Sequence, residues 1–411
     1  MWLVILLVMI IEQTSMHFFS LDCIVWRGER LEERMAQLLM LHTSSSTISS
    51  MSMICRRFWC SSSSSSSLLN NDNNNKKKKK KSVVLLGAPQ VSGIVLDALL
   101  SAESAPDSLF EVAAIVTQPP SKRDRGKRML PSPLAQHALL RGFSSHLILT
   151  PHTARDHHFL SHFKALQPDL CVTAAYGNIL PTDFLHIPPS GTLNIHPSLL
   201  PLYRGAAPVQ RSLQDGVKET GVSLAFTVPA LDAGPIIATE TLQVDDQIKA
   251  PDLLEILFYK GSKLLIRELP SIFDGSARVK ALPQDHSKAT LAPKISPEES
   301  WLLFDQEASV LHNKVRAFSG WPGTRAKVLV VEKNGQQKTL EIKIITTRFR
   351  IHESVHSNEE ANDISFVEGA LAFPCGRGTT LEVLEVQLPG KKVVSAAAFW
   401  NGLQGKKLKI L

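Results

Sequence analysis

Cysteine is scarce in this chain: 411 residues hold five, Cys23, Cys55, Cys60, Cys171 and Cys375. No two form a C-x-x-C pair or stand at zinc-ligand spacing, which excludes a disulfide scaffold and a cysteine-built zinc site and fits a reducing compartment. Long apolar runs are missing too. Trp2 to Ile11 is apolar throughout, but a spanning helix needs about 20 such residues, and no basic n-region precedes this run as a signal peptide requires. No G-x-G-x-x-G follows the first apolar strand, which argues against a dinucleotide-binding dehydrogenase. Internal repeats are absent. A dominant charge is also lacking where folding is expected: residues 82–411 carry 34 basic against 32 acidic residues, and residues 1–81 carry 11 against 6. The net +7 therefore says little about partners, and local patches say more.

The first 81 residues do not read as a folded domain. From Met53 the text runs through Arg56, Arg57 and seven consecutive serines with no acid before Asp72, then Asn-rich sequence and Lys76–Lys81. Arg- and Ser-rich, acid-poor composition is that of an organelle transit peptide, and the polar tract after it cannot bury enough apolar surface to fold. Translation is expected to start at Met51 or Met53. The destination expected is the mitochondrial matrix, with a chloroplast as the alternative. The lysine run reads as a solvated linker rather than a nucleic-acid contact.

From Ser82 short apolar runs recur: VVLLGAP (83–89), VAAIVTQ (112–118), LILT (147–150), LCVTAAYG (170–177), TLNIHP (192–197), VSLAFTV (222–228) and IIATETLQV (236–244). Helix-compatible segments lie between most of them, and a longer helix is expected from about 251 to 273. Strands alternating with helices predict a doubly wound α/β domain with a mostly parallel sheet; continuous apolar runs fit strands covered on both faces. The stretch 283–297 is rich in Pro and polar residues and reads as a linker. Beyond it one helix (305–318) and several short alternating strands with turns such as Asn334-Gly335 predict a small, OB-like β-barrel. The expected divisions are 1–81, 82–285, a linker at 286–300, and 301–411. Cys171, inside an apolar strand, is expected to be a small core residue.

GTLNIHPSLLPLYRGAAP (191–208) is the most informative block. Alternation along a strand puts Asn194 and His196 on one face and Ile195 on the other. A Pro-broken loop comes next, and open α/β sheets bind ligands outside the C-terminal ends of their strands. LDAGP (231–235) adds a carboxylate, Asp232, at another strand–turn junction. An amide, an imidazole and a carboxylate can stabilise an oxyanion and move one proton. Lys122-Arg123-Asp124-Arg125-Gly126-Lys127-Arg128, flanked by prolines, reads as an exposed basic loop able to neutralise phosphates. His152, His157, His158 and His162 cluster, and His158 and His162 share a helix face, but no nearby Cys or suitably spaced Glu completes a metal site.

Taken in order, TQPPSKRDRGKRMLPSP (117–133), AAYGNILP (174–181), NIHPSLLPLYRGAAPVQRS (194–212), TGVSLAFTVPALDAGPI (220–236), VRAFSGWPGT (315–324) and LPGKKVVSAAAFWNG (388–402) resemble the methionyl-tRNA formyltransferases over about 83–411. The Asn-x-His and SLLP elements are shared with the 10-formyltetrahydrofolate-using formyltransferases and hydrolases. RGAAP, the basic loop and the C-terminal domain narrow the resemblance to the tRNA enzymes. One departure, GAPQVSG at 87–93, falls in the first βα turn.

The resemblance implies transfer of a formyl group from 10-formyltetrahydrofolate to the amino group of methionyl initiator tRNA in an organelle, by a monomer, without a metal. Asn194, His196 and Asp232 would be catalytic, with Asp232 against the imidazole and fixing its tautomer. Tyr176, Gly177, Ile179, Leu180, Pro181, Ser198, Leu199, Leu200 and Pro201 would line the folate pocket. Lys122, Arg123, Arg125, Lys127, Arg128, Arg204, Lys391 and Lys392 would contact the tRNA, with Arg125 matching the family's key loop arginine. The alternatives are a 10-formyltetrahydrofolate hydrolase, which needs neither basic loop nor barrel, and a tRNA-binding protein without catalysis.

Overall fold

The computed structural model describes residues 79–122, 128–350 and 362–411; the expectations for the leader, for Cys23, Cys55 and Cys60, and for Arg123, Arg125 and Lys127 lie outside these residues. The described chain opens with β1 (Lys81–Gly87), α1 (Val91–Glu103), β2 (Phe110–Val116), α2 (Pro133–Leu140), β3 (Ile148–Leu149), α3 (His157–Ala165), β4 (Leu170–Ala174) and β5 (Thr192–His196). It continues with α4 (Pro208–Gln214), β6 (Glu219–Phe226), β7 (Ile236–Gln243) and the 24-residue α5 (Ala250–Phe273). These strands form one sheet in the order β7-β6-β5-β4-β1-β2-β3. The β5–β4–β1–β2–β3 part is parallel, and β6 and β7 add an antiparallel edge.

The central strands show why continuous apolar runs were needed. Val83 and Leu85 join one core with α1 and α5, while Val84, Leu86 and Cys171 join a second core with Phe159, Phe163 and Phe184 on the other face. Period-two alternation thus feeds two apolar layers from one run. Burial pushes the Cys171 thiol above its ordinary range. Gly261 decides how closely α5 approaches the sheet: a Cβ there would lie 2.4 Å from Ile195 Cγ2. Its absence lets α5 lie directly on β5, fixing the strand whose opposite face carries Asn194 and His196.

The second region contains α6 (Ala308–Ala317), β8 (Thr324–Val331), β9 (Gln337–Arg350), β10 (Asp363–Val367), β11 (Ala370–Pro374), β12 (Thr380–Gln387), β13 (Val393–Ser395), α7 (Ala396–Gly402) and β14 (Lys407–Ile410). Its antiparallel sheet runs β9-β8-β14-β10-β11-β12-β13 and closes on itself because β9 also pairs with β12. Register shifts at Ile344/Thr346 and Thr346/Thr347 bend the long strand enough to serve both neighbours. Leu311 and Val315 of α6 enter the barrel core, while Ala317 and Phe318 at its end enter the core of the first region. His312 and Arg316 on the same helix are buried. His312 Nε2 donates to the Asp246 carbonyl at 2.8 Å, and Arg316 Nη1 donates to the Asp245 carbonyl at 2.9 Å.

The stretch read as a linker, together with the residues just before it, is paired to the first region. Leu282 exchanges two backbone hydrogen bonds with Ile236, and Leu291–Ala292 pairs in parallel with Arg204–Gly205. Pro and polar residues hid this because each contact is long-range and imposes no local periodicity.

Candidate active site

The two informative loops emerge side by side. β4 and β5 are parallel neighbours with Thr173 opposite Asn194, so Ala175–Pro181 and Pro197–Pro201 both leave the C-terminal edge of the sheet. Thr173 Oγ1 donates to Asn194 Oδ1 at 2.8 Å and is also 3.0 Å from the Leu193 carbonyl. That contact orients the amide, and Asn194 Nδ2 then donates to Asp232 Oδ1 at 3.1 Å. An amide nitrogen carries two hydrogens, so the second remains for a ligand oxygen.

His196 is 4% exposed. Its Nε2 lies 3.0 Å from the Tyr203 carbonyl. A carbonyl only accepts, so Nε2 carries a hydrogen, and in the neutral ring Nδ1 keeps its lone pair. Nδ1 faces Asp232 Oδ2 at 3.8 Å. The expectation of a carboxylate fixing the imidazole tautomer is corrected: the Tyr203 carbonyl does that from the other side of the ring. Asp232 makes its hydrogen bonds to Asn194 and to the backbone N–H of Gly205, 2.9 Å from Oδ2. At 3.8 Å it is placed to stabilise an imidazolium electrostatically.

Two turns hold these groups. Asp232 has φ of 44° and Tyr203 of 58°, both in the left-handed region that costs a non-glycine residue about 1–2 kcal/mol. Gly234 is required because a Cβ there would lie 1.7 Å from the Phe226 carbonyl oxygen. Tyr203 is tied down by its N–H to Thr290 Oγ1 at 2.8 Å and by its hydroxyl to Asp215 at 2.9 Å. Burial and the adjacent Asp215 carboxylate push the Tyr203 phenol above its ordinary range.

Arg204, expected among the tRNA contacts, turns inward. It is 7% exposed, and its Nε and Nη2 donate to Gln284 Oε1 at 3.0 and 2.6 Å. Ser198 is also spent inside the fold: its hydroxyl donates to the Leu202 carbonyl at 2.7 Å, and its carbonyl accepts from Ser223. The SLLP loop is thereby pinned to β6, with Leu200 N donating to Ser223 Oγ at 3.0 Å. Of the other expected pocket residues, Tyr176, Leu180 and Leu200 are buried, Leu199, Pro181 and Pro201 are half-buried, and Gly177 and Ile179 are exposed. Tyr176 Oη and Asn178 Nδ2 are buried next to each other, with no other hydrogen-bond partner. Polar capacity left unused beside apolar side chains suits a flat ligand with polar edges, and these residues fit a folate on that ground.

Lys122 and Arg128 are exposed at the ends of a short pairing of 121–122 with 129–130. Lys391 and Lys392, also exposed, line with Lys343 an open groove of ≈ 340 Å³ on the barrel. Among the described residues, no group of three His, Cys, Asp or Glu could hold a metal ion, and no helix is long and apolar enough to cross a membrane. Thr173, the Tyr203 carbonyl, the Gly205 N–H and Gln284 went unread in the sequence. Only Gly205 had a signal, as the glycine of RGAAP.

A doubly wound sheet brings an amide, an imidazole and a carboxylate together beside two strand-end loops, a site able to bind an oxyanion and move a proton. The formyl transferase family model matches residues 80–269, and that of the formyl transferase C-terminal domain matches 294–404. The methionyl-tRNA formyltransferase of Moorella thermoacetica is 35% identical over 78% of this chain and 96% of its own length. That of Nitrosococcus oceani is 35% identical over 78% and 92%. The chain belongs to the methionyl-tRNA formyltransferase family. An N-formyltransferase of Helicobacter canadensis, solved with folinic acid and dTDP-3-aminofucose, shares the fold with a TM-score of 0.50 at 18% identity, over 74% of this chain and 99% of that one.

Proposed function

We propose that the chain transfers a formyl group from 10-formyltetrahydrofolate to the amino group of methionyl initiator tRNA. The observation that carries this reading is the pair of unspent groups at the end of β5: the second Asn194 amide hydrogen and the His196 Nδ1 lone pair, 3.8 Å from a carboxylate. The folate, when bound, supplies the formyl carbon. Asn194 gives its free hydrogen to the formyl oxygen as charge develops there, a contribution of roughly 10²–10³ in rate. His196 Nδ1 takes the proton from the attacking amine and delivers it to the departing nitrogen. Asp232 stabilises the imidazolium between those two transfers and holds the Asn194 amide in line. Tyr176, Leu180, Leu200 and Asn178 would hold the folate.

The tRNA is read by charge: Lys122, Arg123, Arg125, Lys127 and Arg128 on the first region, and Lys391 and Lys392 on the barrel. A hydrolase would have no use for these cations or for the barrel. The Arg- and Ser-rich composition from Met53 supports work in an organelle, the mitochondrial matrix first and a chloroplast as the alternative. N-terminal sequencing of the imported protein tests that part; a mature form retaining Trp2 contradicts it.

The test of the reaction uses the full chain with donor labelled in its formyl group. Label entering acid-precipitable RNA only with aminoacylated initiator tRNA supports the reading. Formate released at the same rate without tRNA would identify a hydrolase instead.

A further inference from the structure

We propose that Gln284 is a positioning residue for this reaction, holding the Asp232 turn in the geometry that aims its carboxylate; the inference rests on the proposed catalytic role of Asp232. Gln284 is 6% exposed, and its amide is fully committed. Oε1 accepts twice from Arg204, which fixes which end of the amide is the nitrogen. Nε2 then donates to the carbonyls of Asp232 and Gly234, at 2.8 and 2.7 Å. Both hydrogens are used, so Gln284 has nothing to offer a substrate and acts only through the turn it grips.

The turn needs gripping. Asp232 sits at positive φ, and Gly234 is pressed against the Phe226 carbonyl. Strained backbone persists only where its surroundings over-determine it. The same strip of chain supplies the opposing grip. Arg204 leads into Gly205, whose N–H holds the Asp232 carboxylate, and Arg204–Gly205 is itself paired with Leu291–Ala292. Gln284 is anchored two residues earlier by the Leu282–Ile236 pairing. Residues 282–292 therefore brace the carboxylate through Gln284 and the imidazole through Thr290 and the Tyr203 carbonyl.

The test is Gln284→Glu, which keeps an acceptor for Arg204 and removes both N–H donors. The expected result is a kcat about 10- to 100-fold lower, the cost of a misaimed catalytic group, with KM for donor and tRNA within about twofold. The deciding measurement is the same substitution in an Asp232→Asn background, by single-turnover formylation. Gln284→Glu is expected to cost less than about threefold there, because the group it aims is already disabled. An equal loss in both backgrounds, or a wild-type kcat for Gln284→Glu, overturns the proposal. Full activity of Asp232→Asn alone instead overturns the catalytic reading beneath it. Should Gln284→Glu fail to fold, Arg204→Met with Gln284→Met removes both partners of the buried pair together, and the same pattern of losses is expected.

Discussion

Asn194→Ala separates catalysis from stability because the local bonding is lopsided. The Asn194 amide receives Thr173 Oγ1 and donates to Asp232. Without it, the Thr173 hydroxyl still has the Leu193 carbonyl at 3.0 Å, and the partly exposed Asp232 keeps the Gly205 N–H. Each hydrogen bond removed is worth roughly 1 kcal/mol net, so the thermal midpoint should fall by only a few degrees. The rate should fall far more, by about 10²–10³ in kcat, the usual cost of one oxyanion donor. Asn194→Asp sharpens the argument. It is nearly isosteric and still accepts from Thr173, but it sets a carboxylate where the amide stands 3.1 Å from Asp232 Oδ1. Two like charges at about 4 Å repel by roughly 4 kcal/mol at an effective dielectric constant of about 20, and the oxyanion donor is gone as well. Asn194→Asp should therefore be at least as slow as Asn194→Ala. Single-turnover formylation with saturating donor and methionyl-tRNA reads the rates, and circular dichroism melts read stability. A variant keeping more than half of wild-type kcat would refute the role of Asn194.

Three further outcomes rest on particular residues. Gly234→Ala places a methyl group against the Phe226 carbonyl and should lower the thermal midpoint and kcat together; an unchanged melt would contradict the required close approach. Burial holds the His312 imidazole below its ordinary 6.5, with the Asp246 carbonyl and carboxylate pulling it up and Arg316 and Lys218 pushing it down. A lowered folded value means that the contribution of His312 is complete above about pH 6.5 and is lost as pH falls through that lowered value, since the unfolded imidazole takes its proton first. His312→Gln should flatten the decline of the thermal midpoint between about pH 7 and about pH 5, and an unaltered slope would contradict this. Lys391→Glu with Lys392→Glu should weaken tRNA binding and reduce the slope of log K against log salt by about one for each phosphate no longer neutralised; an unchanged slope removes these lysines from the interface.

The elements were legible because each carries its own period. VVLLG needs two apolar faces and found them, and helix α5, expected over 251–273, spans Ala250–Phe273. Strand alternation alone placed Asn194 and His196 on one face. The partners of those side chains were not legible, because they come from turns and from distant chain. Nothing local marks Gln284, in a Pro-bounded polar stretch, as a ligand of Asp232, 52 positions away in the chain. Nor can a sequence show that His196 is oriented by a main-chain carbonyl, since carbonyls have no letter. Arg204 was misplaced for a related reason: an arginine next to the site of a tRNA-modifying enzyme reads as a tRNA contact, whereas burial and Gln284 decide its direction. The strands at 393–395 and 407–410 went unread because each is too short to show alternation by itself.

A crystal structure of the full chain with a non-transferable analogue of the 10-formyl donor tests where Asn194, His196 and Asp232 stand against the formyl group. The formyl oxygen should lie within about 3 Å of Asn194 Nδ2, with His196 Nδ1 facing the approach of the amine and Asp232 still bonded to Gly205. A formyl group bound in the folate loops but out of hydrogen-bond reach of Asn194, or an imidazole turned so that Nδ1 no longer faces it, would contradict the account.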